Sequence, residues 1–573
     1  MEPIKEGLLP PWSRQLIEQY RGGTLNLFVI HGNIYDLVPL RTPDGTKYVS
    51  LKEFLSQALF PDRDGLVYYD QASGISFSSN ELAGDFHTVA DAVTQASGGK
   101  VGMGLPREPG RALPLMERYL RTRLTGKKAK RMAILIEYAQ TVIPGGDGGN
   151  LSEEEESCLI TLLKWSTDPL FLKSDVPILL VAPSLAELNA SLVQNPYVGK
   201  IELNLPDELE RLEFVQSHLT GDTRALTQLK PEILASLTSG LSRINIRHML
   251  EQALRNKRQI DHDFVYASKK ELIEKECYGL LEFVKPQHSL DMVSGHDAAK
   301  KWLTEDATLI KEGKTASLPM GYLITGPVGT GKTFLITCYM GTIGIPCVKL
   351  KNFRSQWQGA TEGNMEKILN VLKATGPVGV IIDEADAALG NRDQSGDSGT
   401  SSRVFSQIAS QMGDTRYRGK ILWFLLTCRP DLLPVDLKRQ GRAEVHIPLF
   451  YPASPEEYRH FFEVMARKVG VKLPDEGPPE VPCGLALSGA DIEGIMVRTR
   501  RRAEVSGREL PTKDDWAQEL SSFLPSVQGP EVELQVMAAV SECTDRRFLP
   551  EEYSKLDRLH VLNRLGELKR LLR

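Results

Sequence analysis

Short apolar runs alternate with helical patterns over a long first stretch of the chain. This stretch runs from about Thr24 to Asn204 and contains the apolar runs LNLFVIHG, LVYYD, MAILIEYA, PILLVAPS and KIELNL, with segments of helical period between them. Apolar runs that alternate with amphipathic helices are typical of a parallel sheet with crossover helices. The pattern therefore predicts an α/β domain here.

The same order of elements returns in the second half of the chain. From about Leu290 the runs GYLITG, CVKL, VGVIIDEA, ILWFLLT and EVHIPL alternate with helical patterns. In each half a helical segment follows the last run, and a small Gly/Ser turn precedes an amphipathic helix, at residues 238–253 and 485–503. We therefore expect two copies of one plan, each an α/β core with a helical lid.

The patterns divide the chain into six expected segments. A chain of 573 residues is too long for one hydrophobic core, so two domains with appendages agree with its length. The segments are an N-terminal segment (1–23), a first α/β module (24–205), its helical lid and linker (206–280), a second α/β module (281–450), its helical lid (451–510) and a C-terminal helical extension (511–573).

The C-terminal extension ends in a row of leucines. Leucine occupies every third position from Leu556 to Leu571. On a helix of about 3.6 residues per turn this row drifts by about 60° at each step, so it winds round the helix instead of forming a heptad seam. We expect a helix that is buried by several neighbours and not a coiled coil.

Composition adds few constraints. Hydrophobic residues make up 41% and charged residues 25% of the chain, and the formal net charge is −5, as in ordinary globular proteins. No apolar run reaches bilayer length, and the start MEPIKEGLLPPWSRQL lacks the apolar core of a secretory signal. The seven scattered cysteines contain no CxxC pair. We expect a cytosolic protein with reduced thiols, no structural zinc and no membrane partner.

The stretch GPVGTGKT, from Gly326 to Thr333, matches the pattern GxxxxGK[ST] between a predicted strand and a predicted helix. Glycines there let backbone N–H groups surround phosphates, and the helix directs its positive end at them. Lys332 would neutralise phosphate oxygens, and the hydroxyl of Thr333 would hold Mg²⁺. The residues expected to bind the nucleotide are Gly326, Pro327, Val328, Gly329, Thr330, Gly331, Lys332, Thr333 and Phe334.

The apolar run VGVIIDEAD ends in two carboxylates. Asp383 is placed to bind Mg²⁺ through water, and Glu384 is placed to act as the base for an attacking water. A solvated pair of acids at a strand end is the ordinary alternative, which the preceding phosphate loop disfavours. ATP and Mg²⁺ are therefore the expected cofactors.

These ordered motifs resemble the founding AAA clade of the AAA+ P-loop NTPases. DMVSGHDAAKKWL resembles the segment that clasps adenine, TCRPDLLPVDLKRQGR the sensor strand and arginine turn, and LSGAD the lid motif near the base and ribose. The resemblance implies an α/β P-loop NTPase fold with a parallel sheet and a helical lid. It also implies nucleotide contacts from Ser294, Gly295, Gly489 and Ala490.

The resemblance further implies a ring of identical copies, usually six, in which arginines of one copy complete the active site of the next. By position these are Arg439 and Arg442, which would stabilise the charge that develops on the transferred phosphoryl group. The alternative is a solvated basic turn.

A tryptophan lies in the polar, glycine-ended stretch RSQWQG, with no apolar period on either side. In the AAA family the loop after the second strand carries an aromatic residue followed two positions on by glycine, and it faces the central pore. By this resemblance Trp357, with Gln358 and Gly359, would grip a threaded polypeptide. The alternative is that Trp357 packs on its own domain.

The sensor strand departs from the family pattern. Where the family has an asparagine that helps Glu384 orient water, this chain has Cys428. A thiol is a weak donor and a weak acceptor, so we expect slow but competent hydrolysis. Whether Thr427 or Arg429 substitutes stays open.

The first module lacks these motifs. LNLFVIHG runs into NIYDLVPL without GK[ST], and no paired arginine turn follows. In AILIEYA we interpret Glu137 as retained and Ile136 as standing where the metal-binding aspartate belongs. We interpret the module as a degenerate AAA-like scaffold, ring tier or substrate platform. An unrelated α/β domain is the rival interpretation.

Together the motifs predict a ring-forming ATPase that remodels or threads a protein substrate. A slow-hydrolysing, ATP-dependent assembly switch is the alternative, which Cys428 favours. A nucleic-acid motor would depend on the basic runs at 121–131 and 498–502, which lack the interleaved aromatic residues of a base-stacking surface. Nucleic acid is therefore not an expected partner.

Overall fold

A computed structural model of the chain describes residues 9–42, 45–96, 104–125, 130–145, 151–277, 279–351, 362–389, 400–474, 477–481, 486–525 and 529–572. Its contacts divide it into two compact units. The first comprises residues 1–272 with 360–374, and the second comprises residues 273–359 with 375–573.

The first unit is built on a six-stranded sheet with the order β5-β4-β6-β7-β1-β8. All neighbours in it are parallel except β5, which pairs antiparallel with β4, while β2 and β3 form a separate hairpin. The strands are β1 (Leu27–Gly32), β2 (Val38–Thr42), β3 (Gly45–Val49), β4 (Gly65–Asp70), β5 (Gly74–Phe77), β6 (Met132–Ile136), β7 (Ile178–Val181) and β8 (Val198–Leu203).

The second unit contains a six-stranded sheet with the order β14-β10-β13-β12-β11-β9. Here β9 pairs antiparallel with β11 and the other neighbours are parallel. The strands are β9 (Leu281–Val284), β10 (Gly321–Thr325), β11 (Cys347–Leu350), β12 (Val378–Ile382), β13 (Ile421–Thr427) and β14 (Val445–Pro448).

Helices connect and follow the strands, and none of those in the described part of the chain is both long and apolar enough to span a membrane. In chain order they are Pro11–Arg21, Leu51–Phe54 with the π-helical turn Leu55–Leu59, Asn80–Ala96, Pro109–Leu124, Glu153–Thr167, Pro169–Lys173, Ala190–Val193, Glu208–His218, Gly221–Ala225, Pro231–Leu237, Arg243–Arg255, His262–Glu276, Asp297–Lys311, Lys332–Ile343, Glu362–Thr375, Ala385–Leu389, Thr400–Met412, Val435–Lys438, Pro455–Val469, Gly489–Val505, Lys513–Ser522, Pro530–Glu542, Glu551–Ser554 and Arg558–Leu571.

The central strands are apolar at successive positions because both faces of each sheet are covered. On β1, Leu27 and Val29 belong to one hydrophobic cluster, whereas Phe28 and Ile30 belong to another. A strand that buries both faces has no polar side to show in its sequence. This explains why the runs that predicted these strands are continuous instead of alternating.

Five strands of each sheet follow the same order, so the prediction of an α/β core repeated twice is confirmed. Counted from β8 and from β14, the first five strands of the two sheets match in chain order, whereas the sixth strands differ, because β5 follows β4 in the chain and β9 precedes β10. Each sheet also has one antiparallel edge strand, which the sequence analysis did not predict. The antiparallel edge strands, GISF and LEFV, are too short for their sequence pattern to stand out.

A glycine ends β1, and another directly follows the equivalent strand β10. Gly32 has a φ of 94° and Gly326 a φ of 135°. A Cβ on Gly32 would lie 2.5 Å from the carbonyl oxygen of Leu203, and one on Gly326 would lie 2.2 Å from that of Leu449. Only glycine permits this turn so close to the neighbouring strand. The two glycines therefore align the modules residue by residue.

Counted from these glycines, the strand registers align the third strands of the two modules. Ile136 on β6 pairs with Leu180 on β7, and Ile382 on β12 pairs with Leu425 on β13. The pairings of β1 with β7 and of β10 with β13 place the two leucines at equivalent positions. Ile136 and Ile382 are therefore equivalent.

This alignment corrects our interpretation of the first module by one residue. Glu137, not Ile136, is equivalent to Asp383, and Tyr138 is equivalent to Glu384. The backbone agrees, because Tyr138 and Glu384 both have positive φ, at 54° and 48°. The first module thus has an acid, Glu137, at the position of Asp383, with Lys52 Nζ 2.6 Å from it, and a tyrosine at the position of Glu384.

The loop after Gly32 carries a buried acid in place of a phosphate loop. Asp36 Oδ1 accepts a hydrogen bond from the backbone N–H of Ile244 at 2.9 Å, in the first turn of the lid helix Arg243–Arg255. Its Oδ2 lies 3.5 Å from Arg243 Nη1, and the two side chains are 3% and 8% exposed. The chain's own carboxylate therefore satisfies the helix N-terminus and the guanidinium that would otherwise attract an anion.

The C-terminal helix Arg558–Leu571 does not bury its whole leucine row. Leu565 and Leu568 are buried against the helix Pro530–Glu542, whereas Leu559 and Leu571 are more than half exposed. Val561 of this helix also packs with Phe450, which follows β14, so more than one neighbour covers the helix, but only part of its leucine row is buried.

Replacing Asp36 by alanine is expected to destabilise the first unit. The substitution leaves the N–H of Ile244 without its acceptor and removes one partner of a buried ion pair, which costs about 3 kcal/mol, since Glu210 still contacts Arg243. Calorimetry is expected to show a lower melting temperature for the first unit, with a smaller decrease for Asp36→Asn, which keeps an oxygen acceptor.

Inorganic phosphate is the control for this mechanism. It is expected to recover part of the loss in Asp36→Ala, because the vacated helix N-terminus and guanidinium can bind an anion, and to leave the wild type unchanged. An unchanged melting temperature for Asp36→Ala would show that the carboxylate does not hold the lid.

Candidate functional site

The glycine-rich loop after β10 leads into a helix whose start has no side-chain cap. Gly331 is the N-cap of Lys332–Ile343, with a φ of 83°, and no side chain caps this turn. Gly326 and Gly329 also have positive φ. The first backbone N–H groups of a helix have no acceptor within it, and they carry the positive end of its dipole. This arrangement fits a phosphate group.

Lys332 reaches back over this loop. Its Nζ lies 2.8 Å from the carbonyl oxygens of both Gly326 and Pro327, and 3.1 Å from Sγ of Cys428. All three acceptors are neutral, and no described carboxylate forms an ion pair with this ammonium group. A half-buried positive charge surrounded by neutral acceptors fits an anionic ligand.

The two residues predicted to hold the metal lie together. Thr333 Oγ1 donates a hydrogen bond of 3.2 Å to Asp383 Oδ2, and Lys349 Nζ lies 2.8 Å from the same oxygen. Nowhere in the described ranges do three His, Cys, Asp or Glu side chains cluster as a metal cage. The donor set fits Mg²⁺, which usually takes one or two protein ligands together with water and phosphate oxygens.

Glu384 follows directly and has an uncommon backbone conformation. Its φ of 48° lies in the left-handed region, which costs on the order of 1 kcal/mol for a residue with a side chain. Its N–H donates to Asp383 Oδ1 at 3.1 Å, and its exposed side chain lies at the start of the helix Ala385–Leu389. The turn thus presents the acid to solvent beside the metal-ligand pair.

The sensor strand β13 ends with Thr427, and the next side chain, that of Cys428, contacts the phosphate-loop lysine. Thr427 Oγ1 donates to Asp386 at 2.6 Å and accepts from the backbone N–H of Arg429 at 2.8 Å. The guanidinium of Arg429 makes two hydrogen bonds of 3.0 Å to Asp431. Both open substitutes for the missing asparagine are engaged elsewhere, so Cys428 is the side chain at the site.

The segment predicted to clasp adenine contacts the lid helix Pro455–Val469. Ser294 Oγ lies 2.9 Å from His460 Nδ1, and Gly295 and His296 both have positive φ. Burial, and then the charge of a neighbouring lysine, lowers the pKa of His296 to about 4, so its imidazole is neutral at physiological pH. A neutral ring fits the adenine contact that the sequence predicts for this segment.

The second lid helix begins against the phosphate loop. The N–H of Gly489 donates to the carbonyl of Gly329 at 3.1 Å. A Cβ on Gly329 would lie 2.7 Å from the Cβ of Ser488, so the two backbones meet closely. Ala490 is exposed in the first turn of this helix. The residues predicted for the lid side of the site therefore lie beside the phosphate loop.

Phe334 also lies between the loop and the lid. The ammonium of Lys468 is 5.4 Å from the centre of its ring, which fits a cation–π contact. Lys468 belongs to the same lid helix as His460. The lid thus contacts the helix that follows the phosphate loop as well as the loop itself.

The two predicted arginines differ in exposure. The side chain of Arg439 is 59% exposed, and its Nε lies 3.5 Å from Asp436 Oδ1. The side chain of Arg442 is only 14% exposed, and its Nη1 donates to the carbonyl of Asp436 at 2.9 Å. Burial, and then the charge of Arg439, lowers the pKa of Arg442. In the single chain, Arg442 braces the turn that presents Arg439.

The predicted pore loop lies outside the described residues. Trp357, Gln358 and Gly359 fall within residues 352–361, so their proposed role stays a prediction.

Sequence reasoning missed several residues that contact the site. Gln535 and Tyr451 hold the peptide groups around Val328, Lys349 binds Asp383, and His460 binds the adenine-side segment. Each comes from an element that is distant in the chain, so no local motif could have identified it.

Three family models match the chain in succession. The model described as "AAA+ chaperone, N-terminal Rossmann-like domain" matches residues 5–204, and "AAA+ chaperone, second helical domain" matches residues 209–278. The model "ATPase family associated with various cellular activities (AAA)" matches residues 322–451, which include the phosphate loop, both acids, Cys428 and both arginines.

Similar proteins share part of the chain at low identity. The uncharacterized AAA domain-containing protein ycf46 of Trieres chinensis is 27% identical over 346 residues, which are 57% of this chain and 67% of that protein. The cell division cycle protein 48 homolog of Archaeoglobus fulgidus is 24% identical over 451 residues, 70% of this chain and 60% of that protein.

A third similar protein is the ATP-dependent zinc metalloprotease FtsH 2 of Salinibacter ruber, which is 27% identical over 241 residues, 40% of this chain and 34% of that protein. The chain thus spans about two thirds or less of the length of these relatives.

The order of the matched domains agrees with the order of the first sheet, its helical lid and the second sheet, and the AAA match covers the phosphate loop. The chain thus contains an AAA ATPase domain with the P-loop NTPase fold, which follows a Rossmann-like domain and a helical domain of the AAA+ chaperone type.

Proposed function

We propose that this ATPase assembles into a ring and couples ATP hydrolysis to the remodelling of a protein. The observation that carries the proposal is the convergence of Lys332, Thr333 and Asp383 with the exposed Glu384, beside an uncapped helix start. These groups come from the carboxyl ends of β10 and β12, where nucleotides bind in open parallel sheets.

In the proposed mechanism each side chain has one task. Lys332 exchanges its carbonyl and thiol contacts for phosphate oxygens, and Thr333 and Asp383 hold the metal directly or through water. Glu384 orients a water and takes its proton. ATP supplies the phosphoanhydride bond, and Mg²⁺ supplies charge that balances the phosphate oxygens.

Ring assembly is proposed from the arginine turn. Arg439 is 59% exposed and Arg442 holds the turn that carries it, which supports donation of Arg439 to the site of a neighbouring copy, with Arg442 beside it. Six copies are the number that the family resemblance favours. We also propose that the protein is located in the cytosol.

A protein is the proposed substrate. Two of the matching family models are named for AAA+ chaperones, and FtsH 2 is by name a protease, so proteins are acted on among the relatives. Trp357 is the proposed gripping residue. Several members of the basic runs bind acids of their own chain, as Arg123 binds Asp85 and Arg502 binds Glu519, which supports leaving nucleic acid out.

An ATP-dependent assembly switch is the second candidate. The observation that favours it is Cys428, because its thiol stands beside Lys332 where a stronger hydrogen-bonding group would orient water. In this version ATP binding assembles the ring and hydrolysis is rare.

Replacing Cys428 by asparagine is expected to raise the maximal rate of ATP hydrolysis about tenfold or more, since a lost transition-state donor costs roughly 10²- to 10³-fold in other sites. The affinity for ATP is expected to change little. Steady-state phosphate release measures both. Cys158→Ala, in the first unit, is the matched control. An unchanged rate in Cys428→Asn would contradict the sensor argument.

Two inactive variants are expected to restore each other when mixed. Glu384→Gln lacks the base and Arg439→Ala lacks the trans arginine, so each alone is expected to lose about 100-fold or more in turnover. A mixed ring contains sites with the glutamate of one variant and the arginine of the other, about a quarter of all sites on random mixing in a cyclic assembly.

The test measures phosphate release by the mixture and compares it with that of each variant alone. Arg416→Ala, which removes an exposed arginine paired with Asp414, is the control and is expected to keep normal turnover. A mixture that stays inactive while the variants co-assemble would contradict donation in trans.

A further inference from the structure

The C-terminal helices reach the phosphate loop of the second unit. Gln535, on the helix Pro530–Glu542, is 5% exposed, and its Oε1 accepts a hydrogen bond of 3.1 Å from the backbone N–H of Val328. The two residues are 207 positions apart in the chain. A buried amide oxygen from a distant helix therefore contacts the loop that is expected to surround the phosphates.

The contacted peptide group is held at both ends. The N–H of Val328 and the carbonyl of Pro327 belong to one peptide unit, and that carbonyl accepts from Lys332 Nζ at 2.8 Å and from Thr330 Oγ1 at 2.9 Å. Because a peptide unit is planar, fixing its N–H also fixes the direction of its carbonyl. Gln535 and Lys332 thus bind the N–H and the carbonyl of one rigid peptide unit.

The next peptide group is fixed as well. The hydroxyl of Tyr451, which follows β14, donates to the carbonyl of Val328 at 2.7 Å. Val328 therefore has both backbone groups bonded by side chains from outside the loop, while its own side chain is about half exposed. Val328 therefore contributes to these contacts through its backbone and not through its side chain.

The helix that carries Gln535 is anchored to the rest of the site. At its end Glu542 lies 2.6 Å from Lys438, in the arginine turn, and Lys438 also donates to the carbonyl of Pro430. On the paired helix, Lys569 lies 2.7 Å from Asp431, the same carboxylate that Arg429 binds. The helix pair thus contacts the phosphate loop, the sensor turn and the arginine turn.

We propose that the C-terminal helices Pro530–Glu542 and Arg558–Leu571 are a positioning element of the nucleotide site, and that Gln535 sets the phosphate loop in its binding conformation. This inference rests on the proposed function, since it concerns the same site. Gln535 is a positioning residue, because it acts through the Pro327–Val328 peptide and not on the nucleotide itself. Its amide is suited to the task, since a carboxylate would add negative charge beside the phosphates.

The test is Gln535→Met, which keeps the size and apolar contacts of the side chain and removes the acceptor. We expect the KM for ATP and the Kd for ADP to rise about tenfold, the effect of losing one hydrogen bond that favours the binding conformation. We expect kcat to change less than about threefold, since the interaction serves bound substrate and transition state equally.

A variant of the neighbouring residue separates this role from simple stability. Val536→Ala removes apolar packing from the same helix and leaves the contact with Val328 in place. It is expected to lower the melting temperature at least as much as Gln535→Met and to leave the KM within about twofold, because its contacts do not reach the loop. If Gln535→Met does not fold, Gln535→Ala serves in its place.

The outcomes distinguish this inference from the proposed function. A KM that stays at the wild-type value in Gln535→Met, or that rises equally in Val536→Ala, would overturn the positioning role while leaving the ATPase intact. A wild-type chain that binds no nucleotide would instead overturn the proposed function.

Discussion

An ammonium group held among backbone carbonyls is the interaction on which the second module depends. Lys332 can lie over Gly326 and Pro327 only because the loop turns tightly against β14, where a Cβ at Gly326 would meet the carbonyl of Leu449. The same turn directs the N-terminus of the helix Lys332–Ile343 at the site where the phosphates are expected. Glycine, lysine and helix together create a positive site that costs stability unless an anion occupies it.

The two modules share a framework and treat this site in opposite ways. Gly32 makes the same close approach as Gly326, but the loop that follows it supplies the carboxylate of Asp36 to the lid. The first module thus closes its lid with an internal acid, and it keeps Glu137 while Tyr138 replaces the base. In the first module the negative charge beside the loop belongs to the chain, whereas the loop of the second module fits a negative charge supplied by a ligand.

Local chemistry was predictable from the sequence, and register and distant contacts were not. The phosphate loop and the acids after β12 are contiguous patterns, so their positions followed directly. Ile136 was misaligned because β6 is buried on both faces, so its continuous apolar run does not alternate with polar residues. Such a run does not show at which residue the strand ends. Gln535 and His460 escaped notice because they reach the site from distant helices, and a buried glutamine or histidine has no sequence signature of its own.

The central claim is that the chain has one nucleotide site, built around Lys332 in the second module. Titration calorimetry with ATP and Mg²⁺ tests it most directly, on the wild type and on Lys332→Ala. The account predicts a single nucleotide bound per chain in the wild type and none at the same concentrations in Lys332→Ala. Two nucleotides per chain, or binding that survives the loss of Lys332, would contradict it.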